Sequence, residues 1–162
     1  GLGHRRIAFA AGPEHYLPTR EKDAGRRAAL ADAGLDPDGL VAFSSFDVDG
    51  GRRALAELLA RNGERPTAVI CSSDLMAIGV LQEAAARGIR VPDELSVVGF
   101  DGIDASTWTQ PPLTTVEQPI GEIAETAVNA LQELIENPGR SLPNFVFRPQ
   151  LKVRGSTAPP AA

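Results

Sequence analysis

The chain has 162 residues, of which 43% are hydrophobic and 23% charged, with a formal net charge of -5; that is the make-up of one compact domain with its own core. The acidic balance argues against this stretch as a surface that grips phosphate backbones, and leaves room for a basic DNA-binding domain elsewhere in the gene product. One cysteine, Cys71, excludes an internal disulfide, and no apolar run approaches the roughly 20 residues a membrane span needs. The sequence opens without an initiator Met or a signal peptide, so a position inside a longer, cytoplasmic protein is expected.

Residues 7–12, IAFAAG, read as a buried strand ending in a Gly-Pro turn. Helix formers follow over 19–33 and stop at Gly34. Residues 40–43 form a second strand. A helix is predicted over 49–62, with an apolar stripe of Leu55, Leu58 and Leu59 and a stop at Gly63. Residues 67–71 are a third strand, after which Ser73 or Asp74 caps a helix running to Ala86. Residues 95–100 are a fourth strand. Strands alternating with helices imply right-handed crossovers and a parallel sheet covered on both faces. The pattern then changes. Residues 101–115 are an irregular loop holding Trp108, Pro111 and Pro112, and 114–118 are short and extended. Pro119 suits the first turn of a helix reaching about Glu136. FVFRPQLKVRGS reads as two short strands broken at Pro149, and 158–162 as a frayed tail.

Two strand ends carry the chemistry. In CSSDLMAIGVL (71–81) and LSVVGFDG (95–102) an apolar run stops at a polar turn bearing Asp74 or Asp101. Ligands of open parallel sheets sit beyond the carboxyl ends of the strands, so these turns mark a candidate cleft. A carboxylate at Asp101 suits the vicinal hydroxyls of a sugar; the alternative is an Asx turn. Asp74, at a helix start, reads as a cap. Arg20 either reaches the cleft as a forked donor or begins a helix on the surface. Gly1-x-Gly3 precedes the first strand and lacks a third glycine, unlike a dinucleotide loop. Cys71 has no base beside it and reads as a small strand-end residue. No serine lies in a G-x-S-x-G elbow, and one Cys with two His matches no zinc pattern. His4 is expected on the surface, and His15 either at the cleft border or in solvent. On the helix of 74–86, Leu75, Ile78 and Gln82 share one face, and Met76, Ala77, Val80 and Leu81 the other. Such a helix needs two partners: the sheet, and either a second subunit or more of this chain. Trp108 in a loop raises the same pair of alternatives.

Taken in order, LGHRRIAFAAGP, R-x-x-x-AGRRAAL, PTAVICSSDLMAIGVLQEAAARGIRVPDELSVVGFDG, PPLTTVEQP and VRGSTAP resemble the effector-binding core of the lactose-repressor/galactose-repressor family of transcription regulators. The resemblance implies an α/β, periplasmic-binding-protein-like fold: two subdomains with a ligand between them and a parallel sheet flanked by helices. Residues 1–117 with 148–162 would be the C-terminal subdomain, and 118–147 a segment of the N-terminal one. The helix-turn-helix head would lie upstream. Effector contacts are implied for Arg20, Phe46, Ser73, Asp101 and Gln118, joined by Tyr16, and a homodimer interface for Leu75, Ile78, Gln82 and Trp108. Two positions depart from the pattern. Ser73 stands where many relatives have Asn, offering one hydroxyl in place of a carbonyl and an amide, and Gly102 stands where they often have a second Asp. The implied protein is a non-catalytic sensor without cofactor or metal. It takes a sugar-like effector and reaches operator DNA through its head. A solute-binding protein of a sugar transporter is the rival with the same fold, and PPLTTVEQP and VRGST favour the regulator. A sugar-modifying hydrolase would need a paired base and nucleophile, which this sequence does not assemble.

Overall fold

Short strands of small and β-branched residues, alternating with helices, build one sheet. In the computed structural model, which describes residues 1–61, 63 and 65–161, these are β1 (Ile7–Ala11), α1 (Leu17–Asp32), β2 (Val41–Phe43), α2 (Val48–Ala60), β3 (Ala68–Cys71), α3 (Asp74–Ala86) and β4 (Ser96–Asp101). A 3-10 turn (Asp104–Thr107), β5 (Thr114–Glu117), α4 (Ile120–Glu136) and β6 (Gln150–Lys152) complete the chain. The strand order is β2-β1-β3-β4-β5-β6. The first five strands are parallel and β6 runs antiparallel to β5. The chain leaves β1 toward β2 and returns to its other side at β3, so the topological switch point, where such sheets open a crevice, lies between the carboxyl ends of β1 and β3.

A cap sets the start of α2. The Asp47 carboxylate accepts the Gly50 N–H at 2.6 Å, so α2 begins one residue before the predicted 49; its predicted last residue, Asn62, lies outside the described residues. α1 takes in Leu17 and Pro18, because a proline in the first turn forfeits no helical hydrogen bond. α2 and α3 pack backbone to backbone. A Cβ on Gly51 would run into the Met76 carbonyl, and one on Gly79 into the Val48 carbonyl. Leu55, Leu58, Val69, Met76, Val80, Leu95, Val97 and Leu113 form the core between these helices and the sheet.

Four expectations change. The predicted frayed tail is anchored at Ala158: its N–H donates to Ser96 Oγ at 3.0 Å, and its carbonyl accepts from that hydroxyl and lies 2.8 Å from His4 Nε2. His4, expected on the surface, is therefore half-buried, with its other ring nitrogen 2.9 Å from Thr67 Oγ1. Of the two strands expected in FVFRPQLKVRGS, only β6 forms. Phe145 and Val146 are exposed, since no described strand lies beside them to complete a ladder. Pro119 precedes α4 as its N-cap instead of entering the first turn. No residue of α4 is buried. No described helix is long and apolar enough to cross a membrane.

Candidate functional site

Four strands deliver their carboxyl ends to one place. Gly12 after β1 donates its N–H to Ser72 Oγ after β3 at 3.1 Å, bridging the switch point. Lys22 reaches the same place from α1. Its ammonium donates to the Ser72 carbonyl at 2.8 Å and lies 3.8 Å from the centroid of the Phe100 ring. Burial pulls the Lys22 pKa below its ordinary value, against the opposing pull of Asp101 and Asp74.

Asp101 closes β4. Its carboxylate accepts from Gln118 Nε2 at 2.8 Å, and its carbonyl from the Gln118 N–H at 3.1 Å. Burial pushes the Asp101 pKa above its ordinary value, while Lys22 and the Gln118 hydrogen bond act to lower it. Asp101 is also the only non-glycine residue with positive φ among those described, at 122°, in a region that costs an L-residue free energy. A cavity of about 480 Å³ opens here, lined by Asp101, Gly102, Ile103, Glu117, Gln118 and the start of α4. On the β1 side stands an aromatic wall. The Phe46 ring lies on Gly12, where any Cβ would overlap it. Tyr16, 48% exposed, is 6.0 Å from Phe46 between ring centroids, and His15 meets Tyr16 edge-on at 4.6 Å.

Asp101 and Gln118 are thus brought together, as are Phe46 and Tyr16. Ser73 and Asp74 take roles other than those expected. Ser73, expected to face the effector, is only 7% exposed and caps α3, its Oγ accepting the Met76 N–H at 3.2 Å. Asp74, expected to be that cap, turns away from its helix and accepts from Gly102 N–H, Ile103 N–H and the Thr115 hydroxyl. The first helical residue has already left the extended backbone from which a side chain folds back onto the N–H groups of its helix. Of the two alternatives for Arg20, the structure shows the surface one: it is exposed and lines a separate hollow with Glu14, Asp23, Arg27 and Phe43. Residues two apart on a helix point to nearly opposite sides, so α1 cannot turn both Arg20 and Lys22 to the cleft.

Lys22 is the residue the sequence reading missed. The signal was periodicity: Thr19, Arg26 and Leu30 are the buried residues of α1, and Lys22 falls on their side at helical spacing. Cys71 is buried, and its thiol pKa is pushed up by burial and by Asp74, which makes it a packing residue. No group of three or more metal-ligating side chains occurs among the described residues. On the far side of α3, Ile78, Gln82 and Trp108 line one hollow. Leu75 is exposed on the same helix, and Trp108 is 78% exposed.

Residues 1–157 match the family of periplasmic binding protein-like domains. The chain is 45% identical over 161 residues to the HTH-type transcriptional regulator in the aml 5' region of Streptomyces limosus, covering 97% of this chain and 45% of that protein. A LacI family transcriptional regulator from Mycobacterium smegmatis superposes with a TM-score of 0.90 at 36% identity, over 99% of this chain and 60% of that one. The chain belongs to the LacI/GalR family of transcriptional regulators. It spans about half the length of the relatives it matches, and the matched part is the effector-binding, periplasmic binding protein-like region of this LacI-family architecture. A further structure, the transcriptional regulator CelR in complex with cellobiose, superposes with a TM-score of 0.89 at 36% identity, over 95% of this chain and 47% of that one.

Proposed function

We propose that this chain senses a neutral, polyhydroxylated ligand of the sugar class at the carboxyl ends of β1, β3, β4 and β5. The observation that carries this reading is the fixed pair of Asp101 and Gln118, 2.8 Å apart, beside a half-buried Lys22 and the Phe46–Tyr16 wall. A carboxylate and an amide side by side take vicinal hydroxyls in both directions, donor and acceptor. Aromatic faces receive the apolar C–H face of a sugar ring, the usual mix of apolar wall and few convergent polar groups. Lys22 and Asp101 nearly cancel in charge, which favours a neutral ligand over a phosphorylated one. The cellobiose complex of CelR supports the ligand class. The 45% identity to an HTH-type regulator favours a transcriptional role over a transporter's solute-binding protein.

In the full-length regulator, residues 1–117 and 148–162 form one lobe, and 118–147 contribute to the other. Support comes from α4, whose Val128, Leu131, Leu134 and Ile135 are all exposed and need a covering surface. Ligand closes the cleft between lobes, and operator affinity changes because the two conformations bind ligand differently. The face of Leu75, Ile78, Gln82 and Trp108 pairs two such chains into a homodimer, and operator DNA is held by a separate head domain in the cytoplasm.

The test uses the full-length regulator with cellobiose, ribose, maltose and their phosphate esters. A neutral sugar is expected to raise thermal stability, by about 2.7 kcal/mol at 100 times its Kd. Lys22→Met and Asp101→Ala should abolish that shift. Binding of the phosphate esters alone would overturn the neutral-sugar reading. Saturation by a sugar with no change in operator affinity would overturn the allosteric one.

A further inference from the structure

Asp74 is the only acidic side chain with no exposed surface among the described residues. Its carboxylate is fully engaged. One oxygen accepts two successive backbone donors, Gly102 N–H at 2.8 Å and Ile103 N–H at 2.9 Å. The other accepts the Thr115 hydroxyl at 2.5 Å. The strand beside it makes room, since a Cβ on Gly99 would overlap the Asp74 carboxylate.

These donors have a particular place. Gly102 and Ile103 are the two residues that follow Asp101, the residue held at φ 122°. Backbone in that region persists only where its surroundings over-determine it. Two charge-assisted hydrogen bonds on the next two amides supply that constraint. Asp101 then presents its carboxylate to Gln118 across the mouth of the cleft. A helix cap does not need this arrangement, because Ser73 already caps α3.

We infer that Asp74 is a positioning residue for effector recognition, which fixes the turn 101–103 so that Asp101 meets the ligand and which ties that turn to the start of α3. The inference rests on the sensing site proposed above. Leu75, the next residue, lies on the exposed face of α3. A shift of the turn on ligand binding therefore reaches that face through one side chain.

The first arm of the test needs no ligand. Amide hydrogen exchange is followed in the full-length regulator and in Asp74→Asn, which keeps the shape but offers one acceptor oxygen in place of two. Exchange at Gly102 and Ile103 is expected to rise at least about tenfold, while the amides of residues 77–81 in α3 keep their rates. Thr115→Val, which deletes one of the three bonds, should give a smaller rise at the same two amides. Unchanged exchange at Gly102 and Ile103 overturns the inference. So does a uniform rise across α3 and the sheet in both variants, which would make Asp74 a general packing residue.

The second arm uses cellobiose as probe in a double-mutant cycle. Asp74→Asn should weaken cellobiose binding about tenfold in the wild-type background and less than about twofold when Asp101 is already Asn. Equal losses in both backgrounds show that Asp74 does not act through Asp101, and overturn the inference. If the wild type does not bind cellobiose, that failure belongs to the ligand assignment, and the exchange rates alone decide the role of Asp74.

Discussion

α3 and α4 are both rich in apolar residues, yet they meet opposite fates. α3 buries Met76, Ala77, Gly79, Val80, Leu81 and Ala84, whereas α4 buries nothing. The difference lies in what each helix is given to pack on. α3 presents Gly79, and α2 presents Gly51, where the two meet, so the helices approach until backbones touch, and β4 covers the other side of α3. α4 has a clean amphipathic stripe and no described neighbour to receive it. An apolar stripe predicts a helix and a face; it does not say which surface closes over that face.

The sharpest way to break this comparison is a methyl group in each helix environment. Gly51→Ala should destabilise the chain by about 3 kcal/mol in urea unfolding, because the new Cβ meets the Met76 carbonyl and the helices must part. Gly121→Ala, with open space around it, should gain about 0.5 kcal/mol from chain entropy. Equal tolerance at both sites would sink the distinction. Next in size, Leu131→Ser should shift this chain by less than about 0.5 kcal/mol. In a full-length regulator whose other lobe covers α4, the same change should cost about 2 kcal/mol. Ser73→Ala should cost about 1 kcal/mol through loss of the α3 cap. It should leave the order of preference among sugars unchanged, since Ser73 points to Met76 N–H and not to the cleft.

The smallest expected effect lies in the site itself. The Asp101 pKa is raised, so its contribution to stability is fully present below its ordinary 3.8 and is lost as pH rises through the raised value. The Lys22 pKa is lowered, so its contribution is present above 10.5 and lost as pH falls through the lowered value. Both shifts disfavour the charged form, and burial is the first cause of each, as is usual of groups placed for binding. Titration of sugar affinity should therefore show binding weakening on acidification at a pH above 3.8, and Asp101→Asn should flatten that profile. A wild-type profile already flat above pH 3.8 would remove Asp101 from the contacts.

Much of the site was legible because strand ends announce themselves. An apolar run that stops at Asp101 places that residue at the mouth of a parallel sheet whatever the loops do. Gln118 and Phe46 were reached only through the family resemblance. Lys22 was hidden because two of its companions on the buried side of α1, Thr19 and Arg26, are themselves polar, so the spacing is there but no apolar stripe marks it. Asp74 was read as the cap that Ser73 supplies because adjacent residues with similar oxygen acceptors compete for one cap. The winner depends on which of them the turn after β4 engages.

By itself, the sequence determined the alternation of strands and helices, the parallel sheet, the acidic strand ends and the amphipathic faces. These follow from local periodicity and cap chemistry, which act within a few residues. Only the tertiary structure decided the roles of Asp74, Lys22 and His4, the anchoring of Ala158, and the bare state of α4. Each of these depends on groups far apart in the chain meeting in space: Asp74 with Thr115, Lys22 with Ser72, His4 with Ala158. No local pattern encodes such meetings. Burial then sets their energetics, because a buried polar group must find a partner wherever the fold supplies one.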